Sequence, residues 1–393
     1  MLIRTKTQSR LLFFYFITTA GSTLSSIATF VSIEPYFGNL TYTGIALSIR
    51  TLSAALLSLK SPSLMSRIGI QRSFIFSQIF GLISLLVLAA GFAFHSISTV
   101  LLGVVLAGLP STFVTIMMTA TLRITTSDDH AFRKYSSSRE LLQGFAMIGA
   151  SLLAPLLLLK FSILTVFFID AITFILGLIT LPEVKNESKT EASHSMKDVL
   201  SSLPTKHFIL QTSGALLLAG LVPLAASSQQ LRFLQNLPTA IREAAWSIEG
   251  FTIIVASSLY LFFKRFLTPQ FKFIRILLGL SSLGLIPLIW NVSALLSILV
   301  LIFVSLVTSI AIQLFRDDYI LAAGSNSNAI KQYSAFSVLQ RSLVYAVSPL
   351  FLSVSFQSTD FKTAVFFIFG TQLVFLIANY SLHPSMRKSS GSL

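Results

Sequence analysis

The stretch SDDHAFRKYSSSRELLQG, Ser127 to Gly144, returns 198 residues later as SNSNAIKQYSAFSVLQRS, Ser325 to Ser342. Five aligned pairs are identical: Ser127/Ser325, Ala131/Ala329, Tyr135/Tyr333, Ser136/Ser334 and Leu141/Leu339. Asp128/Asn326 and Arg133/Lys331 are close in kind. The weight of the match comes from its position, because each copy follows the fourth hydrophobic segment of its half and opens the fifth. Basic residues repeat as well, with Arg67 and Arg72 between the second and third segments and Lys264-Arg265 between the eighth and ninth. A chain duplicated in this way is expected to fold as two parallel repeats of six helices.

Composition says where those helices lie. Hydrophobic residues make up 54% of the 393 and charged residues 11%, whereas soluble domains carry about a quarter charged. The expectation is an all-α membrane protein with twelve transmembrane helices, near 11–33, 41–59, 73–94, 97–121, 135–159, 162–181, 207–231, 240–263, 273–290, 293–315, 331–355 and 361–382. Each run approaches the roughly 20 apolar residues that cross a hydrocarbon core as helix, and none shows the short alternation of barrel strands. The first segment has a basic lead, MLIRTKTQSR, but an apolar core too long for a cleaved leader, so it reads as a retained helix.

The polar stretch Pro182 to Pro204 divides the chain into an N-terminal half at 1–181, a linker at 182–206 and a C-terminal half at 207–393. No segment is long enough for a separate soluble catalytic domain, so no enzyme is expected. The net charge of +14 could suggest nucleic acid, but its distribution gives another reading. Of the 28 Lys and Arg residues, Lys160, Arg232, Arg242 and Lys362 fall on one side and Arg50, Arg139 and Arg341 inside segments, leaving 21 on the other side. That asymmetry places both termini and the linker in the cytoplasm. Cysteine is absent, which excludes disulfides and thiolate metal sites. The five histidines never pair at metal-ligand spacing, and no phosphate-cradling loop occurs. Neither a metal nor a cofactor is expected, and Asp128-Asp129-His130 reads as a polar loop because its repeat counterpart is Asn326-Ser327-Asn328.

Polar residues inside the apolar segments mark the candidate site. Ser22, Ser25, Ser26 and Thr29 share one face of the first segment. Thr112, Thr115 and Thr119 do so in the fourth, and Ser305, Thr308, Ser309 and Gln313 in the tenth. Each hydroxyl can instead bond back to its own helix. Charges are the sharper signal, since each is costly in hydrocarbon and normally faces a cavity or a partner. Arg50 lies mid-membrane, with Glu249 at its repeat-equivalent position; Glu140 and Gln143 lie in the fifth segment, Arg341 matches Gln143, and Asp170 is central in the sixth. The expected substrate-binding set is Arg50, Arg341, Ser22, Ser26, Thr29, Thr115, Gln143, Trp246 and Gln313. Glu249, Glu140 and Asp170 are the candidate proton-coupling carboxyls, and static ion pairing is the competing role. Arg139 and Arg232 read as interfacial side chains that snorkel toward water.

This organisation resembles the major facilitator superfamily over essentially the whole chain. Thr43 to Leu52, then Ser61-Pro62 and Ser66-Arg67-Ile68-Gly69-Ile70-Gln71-Arg72, is similar to the corresponding region of bacterial macrolide-efflux and enterobactin-exporter-type permeases. Arg67, Gly69 and Arg72 match that family's gating loop, while Ser66 stands where its aspartate would be and Pro62 where its first glycine would be. The resemblance implies that the aspartate's latch at the cytoplasmic side is replaced here. Ala150, Ala154 and Pro155 carry part of the helix 5 antiporter pattern, equally consistent with close helix packing. The resemblance also implies a cavity lined by helices 1, 4, 7 and 10. It further implies a monomer among membrane lipids in a bacterial inner membrane, and proton-coupled export of a small molecule, siderophore- or drug-like. An inward symporter for an organic acid, sugar or metal-chelate remains the alternative, with a polytopic membrane enzyme behind it.

Overall fold

The structure is a computed structural model that describes residues 2–126, 128–183, 245–263, 294–321, 324 and 327–358, with positions 370 and 374. Among these residues there are nine helices. The first six are α1 (Leu2–Phe37), α2 (Leu40–Ile68), α3 (Ile70–Ala93), α4 (Ile97–Thr125), α5 (Asp129–Lys160) and α6 (Ile163–Thr180). They correspond to the first six apolar segments, and all six are long and apolar enough to cross a membrane. α7 (Ala245–Phe263), α8 (Ala294–Leu321) and α9 (Ser327–Ser358) correspond to the eighth, tenth and eleventh segments. The seventh, ninth and twelfth segments and the linker lie outside the described residues.

Short polar caps set the helix boundaries. Asn39 accepts a hydrogen bond from the Thr41 amide, Ser96 from that of Thr99 and Asp128 from that of Ala131, each satisfying an amide that the first helical turn leaves unpaired. Asp128 and Asp129 thus start α5 rather than forming a loop, and Arg123 of α4 pairs with Asp129 at 3.1 Å. Between α2 and α3 the chain turns on one residue, Gly69. Its φ of 84° lies in the region that side chains avoid.

The helices run past the apolar stretches, mainly at the end that carries the α2–α3, α4–α5 and α8–α9 connections. α1 begins at Leu2, α2 continues to Ile68, α5 starts at Asp129 and α8 extends to Leu321. A hydropathy window loses the helix where polar residues begin, but backbone hydrogen bonding and packing against neighbours carry it on. The duplication persists in the backbone: α5 and α9 are both 32 residues long, and their ends are offset by 198 at each terminus, 129 to 327 and 160 to 358.

α3 packs on α4, α1 on α5 and α6, and α2 on α4, while α2 also packs on α9 and α5 on α7. The closest approach is between α5 and α7. A Cβ placed on Gly144 would fall 2.8 Å from the Gly250 carbonyl oxygen, and one on Gly250 equally close to that of Gly144. Only glycine permits this backbone contact in a bilayer, where association depends on close packing. Two apolar clusters fill the interior. Leu24, Ile27, Phe30, Leu85, Phe92 and Phe167 belong to one, at the end bearing the α3–α4 connection. The other, at the opposite end, joins Phe14, Met65, Phe74 and Met117 to Ile320, Ile330 and Val338 of α8 and α9. Leu86, Leu159, Phe168 and Ile179 are turned outward and well exposed, as suits side chains facing lipid and not water.

Candidate functional site

A cavity of about 320 Å³ opens between the first six helices and α7 to α9. α2 contributes Arg50, Thr51 and Ala54, α4 Ser111, Thr112 and Thr115, and α5 Glu140 and Gln143; Ile253, Ser309, Gln313 and Ser342 face them from the later helices. A second cavity of about 160 Å³ lies toward α1, walled by Thr18, Thr19, Ser22 and Thr23. The two share Arg50, Ser111, Thr115 and Gln143, so the site has two lobes that meet at the Arg50 guanidinium. The lining is drawn from α1, α2, α4 to α6 and α7 to α9, a wider set than the four helices the resemblance implied.

Arg50 lies half-buried, its guanidinium carbon 5.6 Å from the centre of the Phe30 ring. No carboxylate among the described residues forms an ion pair with it, although its charge interacts with that of Asp170. Asp170 is 1% exposed and held behind the cavity wall by Ser25 (2.5 Å) and Thr173 (2.9 Å). Gln143 accepts a hydrogen bond from the Tyr15 hydroxyl at 3.1 Å, which leaves its amide nitrogen available to the cavity. Gln313 donates to Ser257 at 2.8 Å, and its buried Oε1 has no partner among the described residues. A buried acceptor left unpaired costs about 1–3 kcal/mol, so a ligand N–H or O–H there would recover it.

Of the remaining expected residues, Ser22 and Thr115 face the cavities. Ser26 and Thr29 do not: Ser26 bonds back to the Ser22 carbonyl and Thr29 to that of Ser25. The side chains of Trp246 and Glu249 on α7 and of Arg341 on α9 lie outside the described residues. Arg67 and Arg72 are exposed on either side of Gly69. Ser66, in the place of the aspartate, bonds among the described residues only to its own Pro62 carbonyl at 2.9 Å.

The structure corrects the reading of Arg139 and exposes two residues that the sequence did not single out. Arg139 is 2% exposed; it donates to Thr119 and, at 2.5 Å, to Glu140, and it lies over the Tyr15 ring. Arg316 and Asp317, just past residue 315 where the tenth segment was expected to end, lie within α8 at 7% and 0% exposure. Arg316 bonds to Glu140 at 2.5 Å and to Ser136 at 2.7 Å. Asp317 accepts from Ser136 at 2.8 Å and Tyr260 at 3.1 Å, and Arg133 donates to Tyr260 at 3.0 Å. Spacing carried the signal: Ser305, Ser309 and Gln313 continue to Arg316 and Asp317 by the same steps of three and four residues. Among the described residues, no group of three metal-ligating side chains occurs.

A polar two-lobed cavity inside long apolar helices, with buried charges joining two groups of helices, defines a multi-pass membrane transporter. Residues 11–349 match the Major Facilitator Superfamily, and the chain belongs to that family, one of transporters and not enzymes. The fold is similar to the crystal structure of the human organic anion transporter MFSD10 (TETRAN), with a TM-score of 0.70, 14% identity and coverage of 95% of this chain and 99% of that one. A bacterial homologue of the iron transporter ferroportin in an outward-facing state gives 0.69, 14%, 95% and 98%. The E. coli fucose:proton symporter FucP gives 0.66, 12%, 95% and 98%. At such identities the likeness concerns the fold alone. No curated protein sequence matches the chain.

Proposed function

We propose that the protein exports a small anionic molecule, siderophore- or drug-like, in exchange for protons by alternating access. Two parallel six-helix halves, 1–181 and 207–393, rock about the cavity, joined by the 182–206 linker. Both termini and the α4–α5 connection face the cytoplasm of a bacterial inner membrane, and the working unit is the monomer. The Arg50 guanidinium carries this reading, because a half-buried cation with no ion-pair partner among the described residues sits where the two lobes meet. Such a cation in a low-dielectric cavity attracts an anion strongly. The unpaired Gln313 Oε1 favours a substrate that also bears an N–H or O–H group. Thr115, Gln143 and Ser22 supply further polar contacts, with Arg341 and Trp246 as additional candidates from the second half.

Proton coupling is assigned to Asp170, Glu140 and Glu249. Asp170 shares the field of Arg50, which links its protonation state to the occupancy of the anion site. Export rests on the likeness of the Thr43 to Arg72 stretch to efflux permeases, and an inward symporter using the same cavity is the second reading. The test is flux of candidate anions in proteoliposomes under an imposed pH gradient, for the parent and for Asp170→Asn, Glu140→Gln and Glu249→Gln. Unaltered pH dependence in all three variants overturns the proton assignment, and accumulation driven inward with the proton gradient overturns export.

A further inference from the structure

The family's latch position is empty of charge here, because Ser66 is exposed and tied only to its own helix. Deeper in the same end, one polar cluster bridges the two groups of helices. Glu140 of α5 meets Arg316 of α8 at 2.5 Å, Ser136 meets Asp317 at 2.8 Å, and Arg133 meets Tyr260 of α7 at 3.0 Å. Nearer the surface, Arg123 donates to the Gly324 carbonyl at 3.2 Å. The apolar cluster that joins Met65 and Met117 to Ile320 and Ile330 seals the same end and keeps water from the ion pairs. The residues Glu140, Arg316 and Asp317, with the adjoining Arg139, are at most 8% exposed.

We propose that the Glu140–Arg316 pair and its Asp317, Ser136 and Tyr260 partners form the latch that holds this end of the transporter shut, in place of the family's α2–α3 loop aspartate. Buried ion pairs suit a latch better than a glue. Their net contribution to stability is small, but pulling one apart leaves charges uncompensated, so the closed state is sharply defined. Glu140 also lines the larger cavity, so latch and substrate site share one carboxylate. The proposal rests on the alternating-access reading.

The chain has no cysteine, so one introduced thiol reports access without background. Ala54→Cys places it in the cavity wall; Ser66→Cys and Phe94→Cys, at exposed positions on opposite ends, show which face each end occupies in right-side-out and inverted vesicles. With a membrane-impermeant maleimide, Ala54→Cys is expected to react only from the Phe94 end. Adding Arg316→Met or Glu140→Gln should raise its reaction rate from the Ser66 end about tenfold, the response to losing roughly one such bond. Both variants leave every remaining charge of the cluster with a partner, so folding is expected to survive. Arg316→Lys keeps a cation within reach of Glu140 but loses the fork that also holds Ser136 and Asp317, so its rate should fall between those of the parent and Arg316→Met. No increase from the Ser66 end in either variant overturns the latch, as does a reporter unreactive throughout or an Arg316→Lys that behaves like Arg316→Met. A switch in access without any solute flux would leave the latch standing and sink the transport assignment instead.

Discussion

Ser25 on α1 donates a 2.5 Å hydrogen bond to Oδ2 of Asp170 on α6, joining two helices across 145 positions of chain. Ser25→Ala removes this donor and leaves the buried carboxyl with Thr173. A hydrogen bond to a charged group contributes about 1.5–3 kcal/mol, and within membranes the measured values run lower. Ser25→Ala is therefore expected to destabilise the detergent-solubilised protein by about 1–2 kcal/mol, read as a lower melting temperature. Ser26→Ala, which removes only a bond within its own helix, should leave the melting temperature nearly unchanged.

Arg50 should dominate substrate affinity. Arg50→Gln is expected to lower kcat/KM for an anionic substrate by about 100-fold, the order seen when one partner of a desolvated charge pair is removed. Gln313→Leu should raise KM by about tenfold with a smaller change in kcat, as loss of one uniform ligand hydrogen bond does. Initial rates of uptake into inverted vesicles separate the two effects.

The Gly144 and Gly250 contact predicts intolerance of size. Gly144→Leu must push α5 and α7 apart, because beside the Ile254 side chain it meets the Gly250 carbonyl oxygen, which is backbone and cannot swing aside. Overpacking of this kind costs about 1–3 kcal/mol, so reduced yield and a lower melting temperature are expected. Gly149→Leu, on the same helix with open space beside its Cα, is the control that should change neither.

Ser66→Asp restores the carboxylate of the family's loop. At an exposed position beside Arg67 and the start of α3, such a charge contributes at most about 1 kcal/mol. Transport should stay within about threefold of the parent, because closure depends on the α5–α8 cluster. A severe slowing would place the latch back in the loop.

Much of this scaffold was legible in the residues, and the reasons are specific. The Ser127 and Ser325 repeat marked the stretches in which α5 and α9 begin, while the apolar runs from 135 and 331 picked the helices up several residues late because the first turns, from Asp129 and Ser327, are polar. Arg50, Thr115, Gln143 and Gln313 were found by polarity on an apolar helix, and all four line the cavity. Arg139 was misplaced, and Arg316 and Asp317 were passed over, because part of their surroundings comes from other helices. A charge near the end of an apolar run looks the same whether it snorkels to water or meets Glu140 from a helix 176 positions away. Ser26 and Thr29 stay outside the lining of the two cavities and bond back to carbonyls of their own helix, as a hydroxyl on a polar stripe can.

The 198-residue offset that makes α5 and α9 twins sets Asp317 against Thr119, and those two positions no longer do the same work. Thr119 takes a guanidinium from within its own half, whereas Asp317 takes a donor, Ser136, from the other half as well as Tyr260 from its own. A protein built from two copies of the first half would keep the bundle's shape but offer only threonine where the second half now offers an anion. On the latch proposed above, the two ends of the bundle would differ because the two copies of one helical plan carry different residues at this position.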